Sequence, residues 1–206
     1  MIDELEIFDC VQGEPEWFEC RRGIPTASRF ADVLAKGQGI TRRKYLLTLA
    51  GEAITGECAE SFSNAHMERG HVMEADARNL YAFDHDVEPQ LVGFMRRGRA
   101  GCSPDSLVGD TGMLEIKSKL PHLQLDVLEK GKLPSEHVAQ VQGQLWIAGR
   151  DWCDFVSYWP KLPLFVKRVE RGEKYIATLV QAVADFNGEL DEIVAKYSPQ
   201  ELRAAA

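Results

Sequence analysis

The sequence lacks the cysteine spacing that would indicate a disulfide framework or a metal cluster. Its five cysteines are odd in number, scattered along the chain and never spaced as C-x-x-C. This pattern argues against zinc sites and iron–sulfur clusters and favours reduced, mostly buried thiols. The five are Cys10, Cys20, Cys58, Cys102 and Cys153.

Long apolar runs are also missing. No stretch of eighteen apolar residues occurs, so we expect no transmembrane helix and no membrane partner. The start of the chain, residues 1–6, is acidic and lacks the basic and apolar segments of a signal peptide. With no repeat, low-complexity stretch or linker, the sequence predicts a cytoplasmic protein that folds as one domain over residues 1–206.

The sequence also lacks an excess of positive charge. The net charge is −8, whereas proteins that contact DNA phosphates usually carry a basic surface. The charges are unevenly spread: acidic residues crowd the N-terminus and the segment 185–201, while basic residues group elsewhere. A basic cleft on an acidic body and a simple cytosolic enzyme both fit this distribution. The basic groups are 21–22, 29, 42–44, 96–99, 117–119 and 130–132.

The order of predicted elements indicates an α/β fold, with a central mixed β-sheet flanked by α-helices as in a restriction-endonuclease-like core. Helix-type apolar spacing and capping residues predict helices over 26–37, 41–54, 64–83, 137–148 and 173–197. Strands are predicted over 90–96, 101–108, 112–119, 154–159 and 164–169, and residues 121–134 as irregular or partly helical.

Three charged residues within a predicted β-hairpin are the strongest functional signal. Asp105 lies ten residues before Glu115, and Lys117 follows two residues later, with the turn formers 109–112 between the carboxylates. Since side chains alternate along a strand, Glu115 and Lys117 share a face, and pairing across the hairpin brings Asp105 close to Glu115. Two carboxylates and an ammonium should therefore converge.

Such a cluster suits phosphodiester hydrolysis. Carboxylate oxygens are ligands for Mg²⁺ or Mn²⁺, and a lysine can offset charge on the phosphate or help to position the attacking water. The alternative is an ordinary hairpin with an exposed, salt-bridged Glu-x-Lys, and these three residues alone would favour it, because charged residues are common on surfaces.

Four ordered blocks of sequence strengthen the functional interpretation. They are W-F-E-C-R-R-G-I-P-T-A-S at 17–28, G-H-V-M-E-A-D-A-R at 70–78, C-S-P-D-S-L with L-E-I-K at 102–117, and H-V-A-Q-V-Q-G-Q-L-W at 137–146. Together they resemble the motifs of the bacteriophage lambda exonuclease family of viral-type recombination nucleases. That family belongs to the PD-(D/E)xK superfamily with the restriction-endonuclease-like fold. The resemblance runs from about residue 17 to 175.

The first block resembles the family's W-x3-R-x-G-x-x-T-A-S motif. The resemblance implies that Arg21 and Ser28 bind the 5′-phosphate of the strand being digested, and that Ser103 joins the same pocket. A guanidinium can grip phosphate through two hydrogen bonds, and a hydroxyl at a helix start adds a donor. The alternative is that Thr26 and Ser28 only cap a helix while Arg21 is solvated.

The second and third blocks imply the metal site. Glu74 corresponds to a helical carboxylate that faces the metals directly or through water. By the same resemblance, Asp105 binds two ions, Glu115 binds one, the carbonyl of Ile116 completes the coordination and Lys117 is the catalytic lysine. Ser106 replaces the family's frequent glycine, and we expect this change to be tolerated.

The fourth block resembles Y-x-A-Q-V-Q and implies that Gln140 holds the attacking water or the scissile phosphate. His137 stands where the family often has tyrosine, so it either contacts phosphate or DNA, or only packs. Gln144 shares a helical face with both residues. Gln142 is interpreted as surface polarity.

The resemblance as a whole implies an Mg²⁺-dependent 5′→3′ exonuclease that acts on double-stranded DNA ends and leaves a 3′ single-stranded tail. Mn²⁺ would substitute, with two ions per site. The family is generally a toroidal homotrimer whose partner is a single-strand annealing protein, and it implies phage or prophage origin. The alternatives are a sequence-specific endonuclease, a catalytically idle DNA-binding protein, and an unrelated α/β protein with a chance hairpin.

Overall fold

The computed structural model describes residues 4–35, 40–59 and 65–198. These residues form seven strands: β1 (Leu5–Phe8), β2 (Phe94–Arg97), β3 (Ala100–Cys102), β4 (Ser106–Val108), β5 (Gly112–Ser118), β6 (Trp152–Tyr158) and β7 (Phe165–Glu170). The α-helices are α1 (Pro15–Arg21), α2 (Phe30–Val33), α3 (Ile40–Thr55), α4 (Ala65–His85), α5 (Pro121–Lys130), α6 (Val138–Ala148) and α7 (Glu173–Tyr197). Short 3₁₀ helices, Ala27–Arg29 and Ser135–His137, precede α2 and α6.

The strands divide between two sheets, where the sequence predicted a single central one. The first sheet has the order β1-β2-β3 and is antiparallel. The second has the order β4-β5-β6-β7, with β5 parallel to β6 and the other pairs antiparallel, so it is mixed as predicted. Strand β5 lies inside the second sheet, with Glu115 opposite Phe155 of β6.

One predicted strand is wrong in an informative way. Residues 101–108 were expected to form one strand, but the chain leaves the first sheet after Cys102 and enters the second at Ser106. Pro104 lies in the crossing segment, and proline has no N–H to donate to a sheet ladder. The crossing therefore carries Ser103 and Asp105 between the sheets, clear of regular strand pairing on either side.

The other differences from the predicted elements concern short or capped segments. Strand β1 and helix α1 had not been predicted, and α5 is a regular helix instead of an irregular segment. Helix α5 begins with Pro121 in its first turn and ends at Gly131, whose left-handed backbone (φ 59°) suits a helix C-terminus. The predicted helix boundaries at Gly37 and Asn64 lie outside the described residues.

Two apolar clusters enclose β5. The larger one packs α2, α3, α6 and α7 together with both sheets. The smaller one places Met73, Ala77 and Tyr81 of α4 against Leu114 and Ile116 of β5. Because α4 covers the apolar face of β5, the face that carries Glu115 points toward α6, and both faces of the strand are buried.

The uneven charges seen in the sequence pair with one another. Arg42 of α3 makes a two-bond contact with Glu189 of α7, both at 2.8 Å. Likewise, Arg99 binds Asp191 of α7, and the β2 residue Arg96 binds the β1 residue Glu6. These basic residues therefore link the acidic N-terminal strand and the acidic last helix to the body of the protein.

The cysteines and the hydropathy of the helices can be compared with the sequence. The five cysteines are free thiols, as predicted, although only Cys102 and Cys153 are buried. Burial raises the pKa of both of these thiols. Among residues 4–35, 40–59 and 65–198, no helix combines the length and apolar character needed to span a bilayer.

Close packing at Gly143 of α6 gives a stability test. A Cβ at this position would lie 2.4 Å from the Phe30 ring and 3.4 Å from Ala27 Cβ. We expect Gly143→Ala to lower the free energy of unfolding by about 1–3 kcal/mol, because the core must shift to accept a methyl group. Denaturant unfolding followed by circular dichroism measures the change.

Gly188 of α7 is the matched control, since a Cβ there meets nothing within 4 Å. Gly188→Ala should leave stability unchanged or raise it by about 1 kcal/mol through helix propensity. Equal destabilisation by the two substitutions would contradict the packing described for Gly143.

Candidate active site

A cleft of about 220 Å³ opens where the segment between the two sheets meets β5 and α6. Asp105, Glu115, Lys117 and Gln140 line it, as the hairpin and the fourth sequence block predicted. Arg21, Ser28 and Ser103, predicted to bind the terminal phosphate, line the same cleft. The structure thus brings residues more than a hundred positions apart into one cavity.

Asp105 is held at the edge of the second sheet by backbone groups. Its own N–H donates to the carbonyl of Leu114 at 3.1 Å, and its Oδ2 accepts a hydrogen bond from the N–H of Ile116. Burial and the neighbouring carboxylates of Glu115 and Glu74 raise the pKa of Asp105 well above its usual range. A site that accumulates negative charge in this way favours a bound cation.

Glu115 is the most enclosed carboxylate in the cleft, with 1% of its surface exposed. One carboxylate oxygen, Oε1, receives the side-chain amide of Gln140 at 2.6 Å and the ammonium of Lys117 at 2.5 Å. The other, Oε2, receives the amide of Gln144 at 2.6 Å. Helix α6 therefore supplies two of the three donors that compensate the burial of this charge.

Lys117 lies on the same strand face as Glu115 and keeps 32% of its side chain exposed. Burial lowers the pKa of Lys117, but the carboxylates of Glu115, Asp105 and Glu74 raise it by more, so the pKa lies above that of a free lysine. The ammonium is therefore charged at neutral pH and lies at the mouth of the cleft, where it can meet an anionic group.

Glu74 projects from α4 and is ion-paired with Arg78 one turn later. It lies near enough to raise the pKa of Asp105. Within the part of the chain that the structure describes, no group of three or more His, Cys, Asp and Glu side chains is arranged to hold a metal ion. Glu74 thus lies near Asp105, as the predicted grouping requires, but its carboxylate is ion-paired with the guanidinium of Arg78.

The residues of the cleft nevertheless fit a magnesium-type ion. Asp105 lies directly before β4, and Glu115 lies on the neighbouring strand β5. Both offer carboxylate oxygens to the cleft, and these are the ligands that such an ion prefers. Gln144 adds a buried side-chain oxygen, Oε1, for which the described residues provide no hydrogen-bond partner. A buried acceptor without a donor is stabilised by a nearby cation or by a water bound to one.

The predicted phosphate-binding residues are held by aromatic and hydroxyl contacts. The indole N–H of Trp17 donates to Ser103 Oγ at 2.8 Å, and the Arg21 guanidinium lies 4.0 Å from the centre of the Trp17 ring. Ser28 Oγ lies 3.3 Å from Thr26 Oγ1. Thr26 occupies the N-cap position, but its side chain makes no capping hydrogen bond, so capping does not account for these hydroxyls.

His137 lies outside the cleft lining and makes structural contacts. Its ring stacks on Phe155 with the centroids 5.1 Å apart, and its Nε2 lies 2.9 Å from the ammonium of Lys119. Burial, reinforced by Lys119 and Lys117, lowers the pKa of His137 to about 4. The imidazole is therefore neutral at pH 7, where it accepts a hydrogen bond from Lys119.

Two glutamines of α6 make contacts that the sequence did not assign to them. Gln142 is buried, so the interpretation as surface polarity is wrong: its amide donates to the carbonyl of Glu170 and accepts from the N–H of Gly172. The spacing of the sequence placed Gln144 on one helical face with His137 and Gln140 but gave it no role. In the structure its side-chain amide donates to Glu115.

The fold and the cleft define a class before any relative is considered. A restriction-endonuclease-like core with an acidic, lysine-bearing cleft beside a mixed sheet is typical of nucleases. The family model of the YqaJ-like viral recombinase domain matches residues 16–151, which is more than half of the chain. The protein belongs to this family of viral-type recombination nucleases, so the family predicted from the four sequence blocks is confirmed.

Solved structures agree with this assignment. An alkaline exonuclease from Laribacter hongkongensis is 35% identical, with a TM-score of 0.85, over 94% of this chain and 100% of the other. The same enzyme in complex with dAMP matches at 36% identity with the same coverage and TM-score. A phage-related exonuclease from Haemophilus somnus, 14% identical over 85% of this chain and 96% of the other, shares the fold with a TM-score of 0.66.

The lowered pKa of His137 predicts a pH dependence of stability. A histidine whose pKa falls from 6.5 to about 4 on folding binds fewer protons in the folded state. Its contribution to stability is therefore complete above pH 6.5 and is lost as the pH falls toward 4. We expect His137→Tyr, which introduces the family's frequent residue, to lose less stability than the unsubstituted protein between pH 6.5 and 4.

Urea unfolding at pH 7.5, 6.5, 5.5 and 4.5 measures this difference, and the other titrating groups are common to both proteins. His122→Tyr is the matched control, because His122 lies at the exposed start of α5. Parallel pH curves for His137→Tyr and the unsubstituted protein would contradict the assignment of a neutral, buried His137.

Proposed function

We propose that the protein is an Mg²⁺-dependent 5′→3′ exonuclease that digests one strand of linear double-stranded DNA from a 5′-phosphorylated end. The observation that carries the proposal is the sharing of one cleft by two sets of residues. Arg21, Ser28 and Ser103 are suited to a terminal phosphate, and Asp105 and Lys117 to hydrolysis of the next phosphodiester. An enzyme with this arrangement cuts a fixed, short distance from a strand end.

The first set would recognise the end of the strand. Arg21 offers a planar guanidinium beside the Trp17 ring, which limits its freedom, and the hydroxyls of Ser28 and Ser103 are further donors. Ser103 already accepts the indole N–H, so its own hydroxyl hydrogen can be donated to a phosphate oxygen.

Asp105, Glu115, the carbonyl of Ile116 and Glu74 would hold Mg²⁺ or Mn²⁺, with two ions per site. When bound, these ions supply a Lewis acid for the phosphate and lower the pKa of water. Glu74, which is ion-paired with Arg78, would contact the ions directly or through water.

The remaining residues would act on the phosphate and on the attacking water. Lys117 carries a full positive charge at neutral pH and is exposed into the cleft, so it can stabilise charge that develops on the phosphate. One N–H of the Gln140 amide donates to Glu115. Its oxygen would accept a hydrogen bond from the attacking water, or its second N–H would donate to the scissile phosphate. No covalent intermediate with the protein is required.

Relatives support the substrate class. The Laribacter hongkongensis protein is an alkaline exonuclease and has been crystallised with dAMP, a nucleoside monophosphate of the kind that exonucleases release. By resemblance to the lambda exonuclease family, the product would be a 3′ single-stranded tail. The enzyme would act as a toroidal homotrimer, its partner would be a single-strand annealing protein, and its origin would be a phage or prophage in the bacterial cytoplasm.

The first experiment tests the catalytic cleft. Asp105→Asn and Lys117→Ala should each slow nucleotide release from 5′-phosphorylated linear duplex by roughly 10²–10³-fold. The first substitution would weaken the hold on the metal, and the second removes the positive charge that would face the reacting phosphate. Release should require Mg²⁺ or Mn²⁺ and stop on chelation. Asp110→Asn, in the exposed turn of the same hairpin, is the matched control and should keep the full rate.

Substrate topology separates this proposal from its rivals. An end-dependent exonuclease spares closed circular duplex, whereas a sequence-specific endonuclease cuts it. A DNA-binding protein without catalytic activity would release no nucleotide from either substrate. Full activity of Asp105→Asn or Lys117→Ala would show that the cleft is not the site of hydrolysis.

A second experiment tests recognition of the strand end. Arg21→Ala should reduce the preference for 5′-phosphorylated over 5′-hydroxyl ends by about tenfold or more, the effect of losing a charged hydrogen bond to phosphate. The ratio of kcat/KM values on the two ends measures the preference. Arg22→Ala is the control, because Arg22 instead contacts Glu19 and the carbonyl of Gly56. An unchanged ratio for Arg21→Ala would remove Arg21 from the phosphate pocket.

A further inference from the structure

The guanidinium of Arg78 joins helix α4 to the segment that crosses between the sheets. Its Nη2 donates to Glu74 one turn earlier in the helix and lies 3.4 Å from the carbonyl oxygen of Asp105. Its Nε donates to the hydroxyl of Ser106 at 2.8 Å. One side chain, 15% exposed, therefore contacts a predicted helical carboxylate and the backbone of the central aspartate.

Ser106 completes this connection. The residue is fully buried, and its hydroxyl accepts from Arg78 while it donates to the carbonyl of Asp105 at 2.5 Å. A glycine, the family's frequent residue at this position, could make neither bond. Arg78 is therefore connected to the Asp105 carbonyl in two ways. It contacts the carbonyl oxygen directly, and it also donates to the Ser106 hydroxyl, which in turn donates to the same carbonyl.

We propose that Arg78 and Ser106 are positioning residues that fix Glu74 and Asp105 relative to each other, and that hydrolysis depends on this link. The inference rests on the proposed function, since it concerns the same cleft. The two carboxylates lie 31 positions apart in sequence, one on a helix and one at a sheet edge, and Arg78 contacts both residues. Groups that orient metal-binding carboxylates set both metal affinity and rate.

The fork shape of the guanidinium, beyond its charge, is the essential feature. Nε and Nη2 point to different partners from one rigid plane, whereas a lysine ammonium is a single point at the end of a flexible chain. Arg78→Lys keeps the positive charge beside Glu74, but a lysine cannot donate to Glu74 and Ser106 in the same geometry. This substitution therefore separates positioning from simple neutralisation of charge.

The experiment compares Arg78→Lys, Ser106→Ala and the double variant in the full-length protein. On 5′-phosphorylated linear duplex with Mg²⁺, Arg78→Lys should lower kcat by about tenfold or more and change KM by less than about twofold, the range seen when supporting partners of metal ligands are lost. Ser106→Ala should have a smaller effect. The double variant should resemble Arg78→Lys alone, because both substitutions break one link.

A second readout does not depend on catalysis. Electron paramagnetic resonance with Mn²⁺ alone, on the protein without DNA, should give a dissociation constant about tenfold higher or more for Arg78→Lys. Arg99→Lys is the matched control, because Arg99 makes an exposed ion pair with Asp191 of α7. It should keep both the rate and the Mn²⁺ affinity.

Each outcome decides the proposal. Unchanged kcat and Mn²⁺ affinity for Arg78→Lys overturn it, and so do fully additive effects of the two substitutions. If Arg78→Lys does not fold, Ser106→Ala and Ser106→Gly carry the test, and unchanged kcat and Mn²⁺ affinity in both overturn it. Absence of nuclease activity in the unsubstituted protein would instead contradict the proposed function, with Mn²⁺ binding left to judge the positioning role.

Discussion

Burial of the Glu115 carboxylate is the constraint on which the rest of the structure depends. An ionised group with 1% of its surface exposed is costly unless several donors compensate it. Gln140 and Gln144 come from α6, and Lys117 from the same strand. Strand β5 must therefore face α6 with its polar side while α4 covers its apolar side, which places the helices on both faces of the sheet.

Pairing of charges within the protein explains how an acidic protein can carry a cleft lined by cationic side chains. The basic groups at 42, 96 and 99 bind acidic residues of β1 and α7, so much of the charge is neutralised within the protein. Within the cleft, the positive charges of Arg21 and Lys117 lie beside the carboxyl groups of Asp105 and Glu115. Attraction of a phosphate depends on this local arrangement more than on the net charge of −8.

Much of the site could be predicted because its residues are close in sequence. The pairing of Asp105 with Glu115 follows from a short hairpin, and the shared face of Glu115 and Lys117 follows from strand alternation. The strand break at Ser103 to Asp105 was missed because apolar residues flank it on both sides. The contacts of Gln142 were missed because nothing local distinguishes a buried amide from a solvated one. Helical spacing placed Gln144 on the same face as Gln140 but could not show that it binds Glu115.

The sequence by itself determined the family, the α/β class and the identity of the charged residues, since these depend on local spacing and ordered blocks. Only the tertiary structure decided which of those residues meet. It placed Arg21, Ser28 and Ser103 in the cleft of Asp105, left His137 stacked on Phe155, and gave Glu74 a partner in Arg78. These contacts join distant segments, and their geometry is set by packing of the whole core, which no short stretch of sequence specifies.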